Sequence, residues 1–344
     1  MRVAELTGIR ELAFSEKEKP KIVHPDEVLM KIEAVGICGS DIHYYNEGNI
    51  GSQVIKYPFV IGHESAATVV EVGDKVRSVK PGDKVAIEPT LWCGECEQCK
   101  NNRRHTCLNQ KFLGCPGQIE GVLKEYAVLP EKCCFPVSDD MPFDLAVFAE
   151  PLSVGIYAVK LSGIDIQNAN IAVLGAGPIG QSVLSTCVKA GAKNIFVTDR
   201  LDYRLDVANK MGAKWIGNTD NASLTQVMKM TCEFDVVFEC CGKQDAVDQA
   251  VEILKPGGKL MMIGIPDVDR ISLLIDKMRR KELCFQNVRR QNECFQNAID
   301  MINDDRAYFQ RLITHHFQFE NTKVGFDLVL NYADNVMKAI VNVQ

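Results

Sequence analysis

The sequence predicts an α/β protein of two domains, one β-rich and one built on a doubly wound parallel sheet. Its 344 residues exceed what a single hydrophobic core usually organises. Short strands and turn residues fill the first part, whereas strands and helices alternate after about residue 150. Such alternation is typical of parallel strands joined by right-handed crossovers.

The β-rich domain is predicted from short runs of β-forming residues bounded by turn residues. A Lys-Pro-Gly-Asp turn separates the last two of these runs. The runs lie at 28–35, 67–73 and 84–87.

Apolar strands and periodic helices predict the second domain. The predicted strands lie at 170–174, 195–198, 234–240 and 259–264. The pattern becomes irregular after about residue 287, so we expect the tail to return to the first domain. The predicted domains are therefore 1–149 with 287–344, and 150–286.

Composition and charge restrict the class of partner. The formal net charge of −6 argues against a nucleic acid or an anionic membrane. The amino-terminal residues lack the apolar segment of a signal peptide, and no uncharged apolar stretch approaches the length of a bilayer span. We therefore expect a cytoplasmic protein with neither a nucleic acid nor a membrane as its partner.

A glycine-rich turn, Gly-Ala-Gly-Pro-Ile-Gly, predicts a dinucleotide site. It follows a predicted strand and opens a predicted helix, which is the context that this motif requires. Gly175 permits the tight turn, Gly177 lets the backbone approach a pyrophosphate, and Gly180 lets helix and strand pack closely. The helix predicted from Ile179, directly after Pro178, offers free N–H groups to the phosphates.

Asp199, at the end of the next predicted strand, favours NAD as the cofactor. It lies about twenty residues beyond the motif, where a carboxylate accepts hydrogen bonds from the ribose hydroxyls and repels a 2′-phosphate. Arg200 and Arg204 leave NADP open, because an arginine can accommodate that phosphate. The alternative is a glycine turn without a ligand beside a surface aspartate.

Four of the 14 cysteines cluster with the spacing Cys-x2-Cys-x2-Cys-x7-Cys. In a reducing compartment, metal ligation explains such a cluster better than disulfides do. Four thiolates suit a closed tetrahedral zinc site with a structural role. Free thiols in a loop and an iron–sulfur cluster are the alternatives. The predicted ligands are Cys93, Cys96, Cys99 and Cys107.

A second possible metal site combines Cys38 with the adjacent pair His63 and Glu64. A thiolate, an imidazole and a carboxylate can hold zinc while one coordination position stays open. An open position is what a Lewis acid needs in order to polarise a substrate oxygen. A single cysteine, or a histidine beside a glutamate, is as often structural, so the spacing alone leaves both roles open.

Five motifs follow one another along the chain, at 36–43 (GICGSDIH), 62–64 (GHE), 93–107, 150–155 (EPLSVG) and 175–180 (GAGPIG). Together they resemble the zinc-dependent medium-chain dehydrogenases over nearly the whole chain. Within that family, Tyr44-Tyr45 and the Ala-Glu-Pro-Leu-Ser segment at 149–153 resemble the sorbitol (polyol) dehydrogenases. The four-cysteine segment is more typical of the microbial type.

The resemblance implies a GroES-like catalytic domain, a Rossmann NAD-binding domain and two zinc ions per chain, one catalytic and one structural. It assigns Cys38, His63 and Glu64 to the catalytic zinc. Glu150 matches the remaining position at this zinc, where it either binds the metal or holds a water on it. Asp41 matches a carboxylate that orients the zinc histidine.

The resemblance also implies residues for proton transfer, cofactor and substrate. Ser40 and His43 match the groups that carry the alcohol proton to solvent. Besides the glycine turn, the implied cofactor contacts are Ile179, Asp199, Arg204, Ile263, Gly264, Ile265, Asn287, Val288 and Arg289. The implied substrate contacts are Tyr44, Glu150, Arg289 and Arg290.

Two departures from the sorbitol dehydrogenase pattern concern the substrate. Arg290 stands where those enzymes usually carry tyrosine, and the segment 112–117 (FLGCPG) replaces the usual Ala-Thr-Pro-Pro-Asp. A second cation beside Arg289 could favour a sugar acid or a sugar phosphate, unless Arg290 turns outward.

The predicted activity is hydride transfer from a secondary alcohol of a polyol or sugar derivative to NAD. An amino-alcohol enzyme resembling threonine dehydrogenase is one alternative, although such enzymes tend to carry Asp-Pro-Phe-Gly where this chain has Glu-Pro-Leu-Ser at 150–153. A non-catalytic protein that binds nucleotide or zinc is another. The family implies a homodimer or a homotetramer.

Overall fold

The computed structural model describes residues 1–221 and 233–343. The chain divides into two compact units, one formed by Met1–Glu150 with Phe295–Gln344 and the other by Pro151–Cys294. The first unit is therefore assembled from both ends of the chain. The second crossing between units lies at Phe295, whereas the predicted boundary was residue 287. The strand Cys284–Asn287 belongs to the second unit's sheet.

Strands and helices are numbered here in chain order. The strands are β1 (Arg2–Gly8), β2 (Glu11–Glu16), β3 (Glu27–Gly36), β4 (Asn49–Ile50), β5 (Gln53–Val54), β6 (Glu64–Val72), β7 (Lys84–Ile87), β8 (Thr90–Leu91), β9 (Lys111–Phe112), β10 (Tyr126–Pro130), β11 (Cys134–Pro136), β12 (Asn170–Leu174), β13 (Asn194–Asp199), β14 (Trp215–Asn218), β15 (Phe234–Glu239), β16 (Leu254–Met262), β17 (Cys284–Asn287), β18 (Ile313–Gln318) and β19 (Lys338–Asn342). The α-helices are α1 (Gly39–Glu47), α2 (Glu97–Lys100), α3 (Phe143–Val147), α4 (Ala149–Ser162), α5 (Pro178–Lys189), α6 (Asp202–Lys210), α7 (Gln244–Ile253), α8 (Ile275–Arg280), α9 (Phe295–Asp304), α10 (Arg306–Gln310) and α11 (Thr322–Leu330).

The first unit is organised around β3, which is buried along most of its length. β3 pairs antiparallel with β6, β10 and β19, and the main path of the sheet runs β11-β7-β6-β3-β19-β18. Ile32 and Val69 contribute to its core, and full burial of an aliphatic side chain of this size stabilises a fold by about 1.5–3 kcal/mol. The ladder between β3 and β19 brings the carboxyl-terminal segment beside Gly36.

In the described part of the second unit, six strands form a wholly parallel sheet with the order β14-β13-β12-β15-β16-β17. The order reverses between β12 and β15, and ligands of doubly wound sheets bind at such a switch point, beyond the carboxyl ends of the strands. β12 is buried at four of its five residues, as expected for a strand covered on both faces. The predicted α/β class, with one β-rich and one parallel-sheet part, is confirmed.

One helical segment, Phe143–Ser162, is long and apolar enough to cross a bilayer by length and composition, with a mean hydropathy of 1.4. It was not expected from the sequence, where charged residues interrupt the apolar run. Of its most apolar window, 83% is buried inside the protein. Core helices of soluble proteins can be equally long and apolar, so this segment is only weak evidence for a membrane span.

Candidate active site

Cys38 stands immediately before helix α1, so its side chain lies at the helix amino terminus. The free N–H groups and positive dipole end of a helix favour a thiolate at this place. The hydroxyl of Ser40 donates to Cys38 Sγ over 3.3 Å. The sequence places both residues in one short segment, and helix α1 fixes how they meet.

Asp41, on the first turn of α1, connects the parts of this site. Its Oδ2 accepts the backbone N–H of Cys38 at 3.2 Å and its Oδ1 accepts that of Gly62 at 3.2 Å. Oδ1 also lies 3.5 Å from Nδ1 of His63. Burial lowers the pKa of His63, but the charges of Asp41 and Cys38 outweigh it and raise that pKa well above its usual value. With Nδ1 facing Asp41, Nε2 is the nitrogen available to a metal.

Cys38, His63 and Glu64 converge as expected. One ligand atom from each lies within 4.8 Å of the others. Glu64 is the first residue of β6 and pairs with Gly36 of β3, where a Cβ would lie only 2.3 Å from Glu64 Oε2. Glycine at position 36 therefore makes room for the carboxylate. One thiolate, one imidazole and one carboxylate fit a catalytic zinc that keeps a position open for another ligand.

Lys338 is a member of this site that the sequence reasoning did not identify. Its Nζ lies 2.8 Å from Oε1 and 2.6 Å from Oε2 of Glu64, and the residue is 2% exposed. Burial lowers the pKa of Lys338, but the charges of Glu64, Cys38 and Glu150 reverse the effect and raise it. A single lysine inside the apolar run Val336-Met337-Lys338-Ala339-Ile340 is the signal that could have indicated it.

Glu150 and His43 lie at different depths. Glu150 is buried on the first turn of α4 and does not belong to the group of converging ligand atoms, which come from Cys38, His63 and Glu64. His43 is partly exposed, and its Nδ1 lies 3.6 Å from Oε1 of Glu47, one turn further along α1. The imidazole therefore has an exposed carboxylate on its solvent side.

Tyr44 is buried, and its hydroxyl donates to Oε1 of Gln53 at 3.1 Å. Gln53 in turn donates from Nε2 to Sγ of Cys115 at 2.9 Å, a residue of the segment 112–117 that departs from the sorbitol dehydrogenase pattern. Phe112 of the same segment packs against the ring of His63, with 5.2 Å between ring centroids. The departing segment therefore lies beside a metal ligand and, through Gln53, beside Tyr44.

The four-cysteine group forms a separate, compact cluster whose sulfur atoms all lie within 4.8 Å of one another. Sγ of Cys107 lies 3.5 Å from that of Cys93 and 3.8 Å from that of Cys96, and Cys93 and Cys99 are 4.0 Å apart. A regular tetrahedron with Zn–S bonds of ~2.3 Å has edges of ~3.8 Å. The cluster therefore fits a zinc ion with four sulfur ligands.

The thiols of this cluster differ in acidity. Backbone N–H groups of Glu95 and Cys96 that point at Sγ lower the pKa of Cys93 to about 6. Burial, together with the neighbouring sulfurs, raises the pKa of Cys99 to about 12. Cys93 is thus a thiolate at neutral pH, whereas Cys99 must lose a proton to bind a metal.

The glycine turn has the geometry that the motif predicts. Gly175 follows β12 with φ +99°, in the left-handed region that favours glycine. Gly177 precedes helix α5, which begins at Pro178. A Cβ on Gly180 would lie 1.8 Å from the carbonyl oxygen of Gly175, so only glycine allows the helix this close to the strand. The turn can therefore present backbone N–H groups to a pyrophosphate.

Asp199 ends strand β13 directly beside this turn. Its Oδ2 accepts the N–H of Ala176 at 2.6 Å and its Oδ1 accepts that of Leu201 at 2.9 Å. The guanidinium of Arg204 also lies close to the turn, with Nη1 3.3 Å from where a Cβ of Gly177 would stand. A carboxylate and a cation thus lie near the same glycine segment.

The other predicted cofactor residues lie where strands of the parallel sheet end. The N–H groups of Ile263 and Gly264 both donate to the carbonyl of Glu239, and Ile265 follows them with an exposed side chain. Val288, after β17, donates to the carbonyl of Met262 at 2.8 Å. The remaining residues of these strand ends are Asn287 and Arg289, both exposed, and the half-buried Arg290 at φ +53°.

The predicted substrate contacts are divided between the two units. Tyr44 and Glu150 belong to the first unit, and Arg289 and Arg290 to the second. The metal ligands lie in the first unit and the glycine turn in the second. The chain therefore combines a metal site suited to zinc, with a coordination position left open, and a sheet suited to a dinucleotide. A zinc-binding dehydrogenase that uses a nicotinamide cofactor requires both parts.

Comparison with known families and proteins agrees with this class. Residues 24–139 match the alcohol dehydrogenase GroES-like domain, and residues 178–304 match the zinc-binding dehydrogenase family. Sorbitol dehydrogenase of Bacillus subtilis (strain 168) is 33% identical over 99% of this chain and 97% of its own length. L-threonine 3-dehydrogenase of Shewanella frigidimarina is 34% identical over 90% of each chain.

Solved structures share the whole fold. An alcohol dehydrogenase of Escherichia coli CFT073 in complex with NADH has a TM-score of 0.91 at 26% identity and covers 100% of this chain and 99% of its own. A zinc-binding dehydrogenase of Sinorhizobium meliloti bound to NADP scores 0.89 at 25% identity, covering 99% of each chain. Galactitol-1-phosphate dehydrogenase of Escherichia coli scores 0.89 at 28% identity, covering 100% of both. The chain belongs to the zinc-dependent medium-chain dehydrogenases.

Proposed function

We propose that this protein oxidises a secondary hydroxyl of a polyol or sugar derivative and transfers the hydride to NAD. The observation that carries the proposal is the convergence of Cys38, His63 and Glu64, with ligand atoms within 4.8 Å of one another, in a chain of this family. When bound there, zinc would act as a Lewis acid that lowers the pKa of the substrate hydroxyl. Two zinc ions per chain are part of the proposal, the second held by the four-cysteine cluster.

The side chains around the ligands have separable roles. Asp41 keeps the His63 ring in one orientation through its contact with Nδ1. The hydroxyl of Ser40, which donates to Cys38 Sγ, can instead turn to a substrate hydroxyl because an O–H group rotates freely. His43 would pass the proton on towards solvent, where Glu47 lies 3.6 Å from its Nδ1.

Glu150 is assigned to the same proton route. It is buried at the start of α4, and its position outside the group of three ligand atoms favours a contact through a water over direct ligation. A buried carboxylate in that position can accept the alcohol proton and release it again.

The proposed preference for NAD rests on Asp199. Its two oxygens are already held beside the glycine turn by the N–H groups of Ala176 and Leu201. Each oxygen keeps a free lone pair for a ribose hydroxyl, and the negative charge repels a 2′-phosphate. Arg204 is close to the glycine turn, so it opposes this preference in part.

The substrate class is inferred from the relatives and from charge. Relatives similar to this chain are named for sorbitol, L-threonine and galactitol 1-phosphate. Arg289 and Arg290 follow one another in the second unit, and paired guanidinium groups bind carboxylates and phosphates well. A sugar acid or a sugar phosphate is therefore included with neutral polyols. The cytoplasmic location and a homodimeric or homotetrameric assembly stay predictions.

The test is a panel of neutral polyols, sugar acids, sugar phosphates and threonine, offered with NAD and followed by the absorbance of the reduced cofactor. We expect turnover with at least one polyol or sugar derivative and none with Cys38→Ser, which should still bind NAD. Turnover with threonine alone would favour the amino-alcohol reaction. A zinc count of one per chain without turnover on any substrate would indicate a non-catalytic protein.

A further inference from the structure

Lys338, the first residue of β19, lies beside the metal site. Its Nζ contacts both carboxylate oxygens of Glu64, at 2.8 and 2.6 Å, and the carbonyl oxygen of Ile37 at 3.2 Å. The side chains of Lys338 and Glu64 are each 1% exposed. A lysine is almost never buried to this degree without a partner, and here the partner is a predicted ligand of the catalytic zinc.

The backbone holds Lys338 in this place. The N–H of Ile37 donates to the carbonyl of Ala339 at 3.0 Å, and the hydroxyl of Thr314 donates to the carbonyl of Lys338 at 3.3 Å. Strand β19 is therefore fixed against the residue that precedes Cys38. The ammonium group cannot leave without breaking this ladder or abandoning a buried carboxylate.

Gly36 of β3 also confines Glu64. A Cβ at Gly36 would lie 2.3 Å from its Oε2 and 2.9 Å from Cγ1 of Val147, so the carboxylate fills the space that this glycine provides. Since both oxygens face Lys338, a metal that binds Glu64 must share the carboxylate with the ammonium group. An ammonium group that contacts a metal ligand also repels the metal ion itself. Charges in a buried site are weakly screened, so the sharing of the carboxylate and the repulsion both have large effects.

We propose that Lys338 is a positioning residue that holds Glu64 at the edge of the catalytic metal site and withdraws part of its negative charge from the metal. Glu64 is then a weak ligand, and the metal keeps more of its positive charge for the substrate oxygen. This inference rests on the proposed function, because it takes Cys38, His63 and Glu64 as the ligands of the catalytic metal.

A purely structural role makes the opposite prediction. If the ion pair only fastens β19 to the sheet, then removing its charge loosens the site and weakens metal binding. If Lys338 competes with the metal for Glu64, removing the charge tightens metal binding. The sign of the change in metal affinity therefore separates the two roles.

The experiment uses cobalt(II) as the metal, because its visible spectrum reports ligand number and the thiolate–cobalt charge-transfer band reports Cys38. Spectra of the apoprotein titrated with cobalt are corrected with the Cys38→Ser variant, so that the four-cysteine cluster is subtracted. We expect Lys338→Met to bind cobalt about tenfold more tightly and to change the visible bands, whereas loss of a partner that supports a metal ligand weakens metal binding by about 10- to 100-fold. Lys338→Arg, which keeps the charge, should restore both properties towards the wild type.

A double-mutant cycle with Glu64→Gln assigns the effect to the carboxylate. In the Glu64→Gln background, Lys338→Met should change cobalt affinity far less than it does alone. Should Lys338→Met not fold, Lys338→Gln takes its place, because it keeps a donor for Glu64 and loses the charge. Weaker cobalt binding, unchanged bands, or an equal effect in both backgrounds would overturn the role of Lys338. If the wild type shows no charge-transfer band beyond that of Cys38→Ser, the proposed function itself is overturned.

Discussion

Oδ1 of Asp41 lies 3.5 Å from Nδ1 of His63, and the same carboxylate accepts the N–H of Cys38. One buried side chain therefore orients two predicted metal ligands that are 25 positions apart in the sequence (63 − 38). This arrangement makes Asp41 the support of the site, although it is outside the group of ligand atoms.

Asp41→Asn should weaken zinc binding at the catalytic site by about 10- to 100-fold, the usual effect of losing a partner of a metal-bound histidine. The neutral amide no longer favours the required ring orientation. Zinc affinity is measured by competition with a colorimetric chelator. Asp139→Asn, at an exposed position, is the matched control and should leave the affinity unchanged. Equal affinities for both variants would exclude the orienting role.

Cys107→Ser should remove one zinc per chain and lower the melting temperature. Cys107 is buried, and its sulfur lies 3.5 Å from that of Cys93 and 3.8 Å from that of Cys96, so its loss opens the cluster. Metal analysis together with thermal unfolding makes the measurement. Cys284→Ser replaces an exposed thiol and should change neither quantity. Two zinc ions in Cys107→Ser would contradict the structural site.

Zinc binding to the four-cysteine cluster should release fewer than four protons near neutral pH. The pKa of Cys93 is lowered to about 6, so this thiol has already lost its proton, whereas Cys99, with its pKa raised to about 12, must release one. As the pH falls below about 6, Cys93 also takes up a proton, and zinc affinity should decline more steeply with further acidification.

Calorimetric titration of the Cys38→Ser apoprotein, in two buffers that differ in ionisation enthalpy, gives the number of protons released by the cluster. Release of four protons at about pH 8 would contradict the low pKa of Cys93. The low pKa of Cys93 would also be contradicted if zinc affinity fell with acidification no more steeply below about pH 6 than above it.

Features set by neighbouring residues were predictable from the sequence. The strand bounds at Lys84–Ile87 and Asn170–Leu174 agree with the predicted ranges, because apolar runs bounded by turn residues are local signals. Strands Trp215–Asn218 and Cys284–Asn287 were not predicted. The first contains glycine and asparagine, and the second is exposed at both ends. Their residues have no strong preference for a strand, so pairing with the rest of the sheet makes them strands.

Contacts between distant residues escaped prediction for the same reason. Lys338 and Glu64 are 274 positions apart, and Gln53 and Cys115 are 62 apart. No local pattern links the members of either pair, and only the fold shows that a lysine in an apolar strand points at a metal ligand. The ligands themselves were predictable, since Cys38 and the His63-Glu64 pair lie in segments that resemble the family.

Asp199→Ala should relax the selection of NAD over NADP. Asp199 lies beside the glycine turn, where its Oδ2 accepts the N–H of Ala176 at 2.6 Å. Loss of its hydrogen bonds to the ribose should raise the KM for NAD about 10- to 100-fold, since a hydrogen bond to a charged group contributes about 1.5–3 kcal/mol. The KM for NADP should fall, because the repulsion of its 2′-phosphate is removed.

Steady-state kinetics with both cofactors makes the measurement, and Asp206→Ala on the exposed face of α6 is the control. A substitution of Arg204 tests the origin of any activity with NADP, because its guanidinium lies near Gly177. If that group receives the 2′-phosphate, Asp199→Ala combined with Arg204→Ala should lose the gained activity with NADP. A ratio of kcat/KM for the two cofactors that Asp199→Ala leaves unchanged would refute the ribose contact. The glycine turn would then bind the pyrophosphate without selecting between the cofactors.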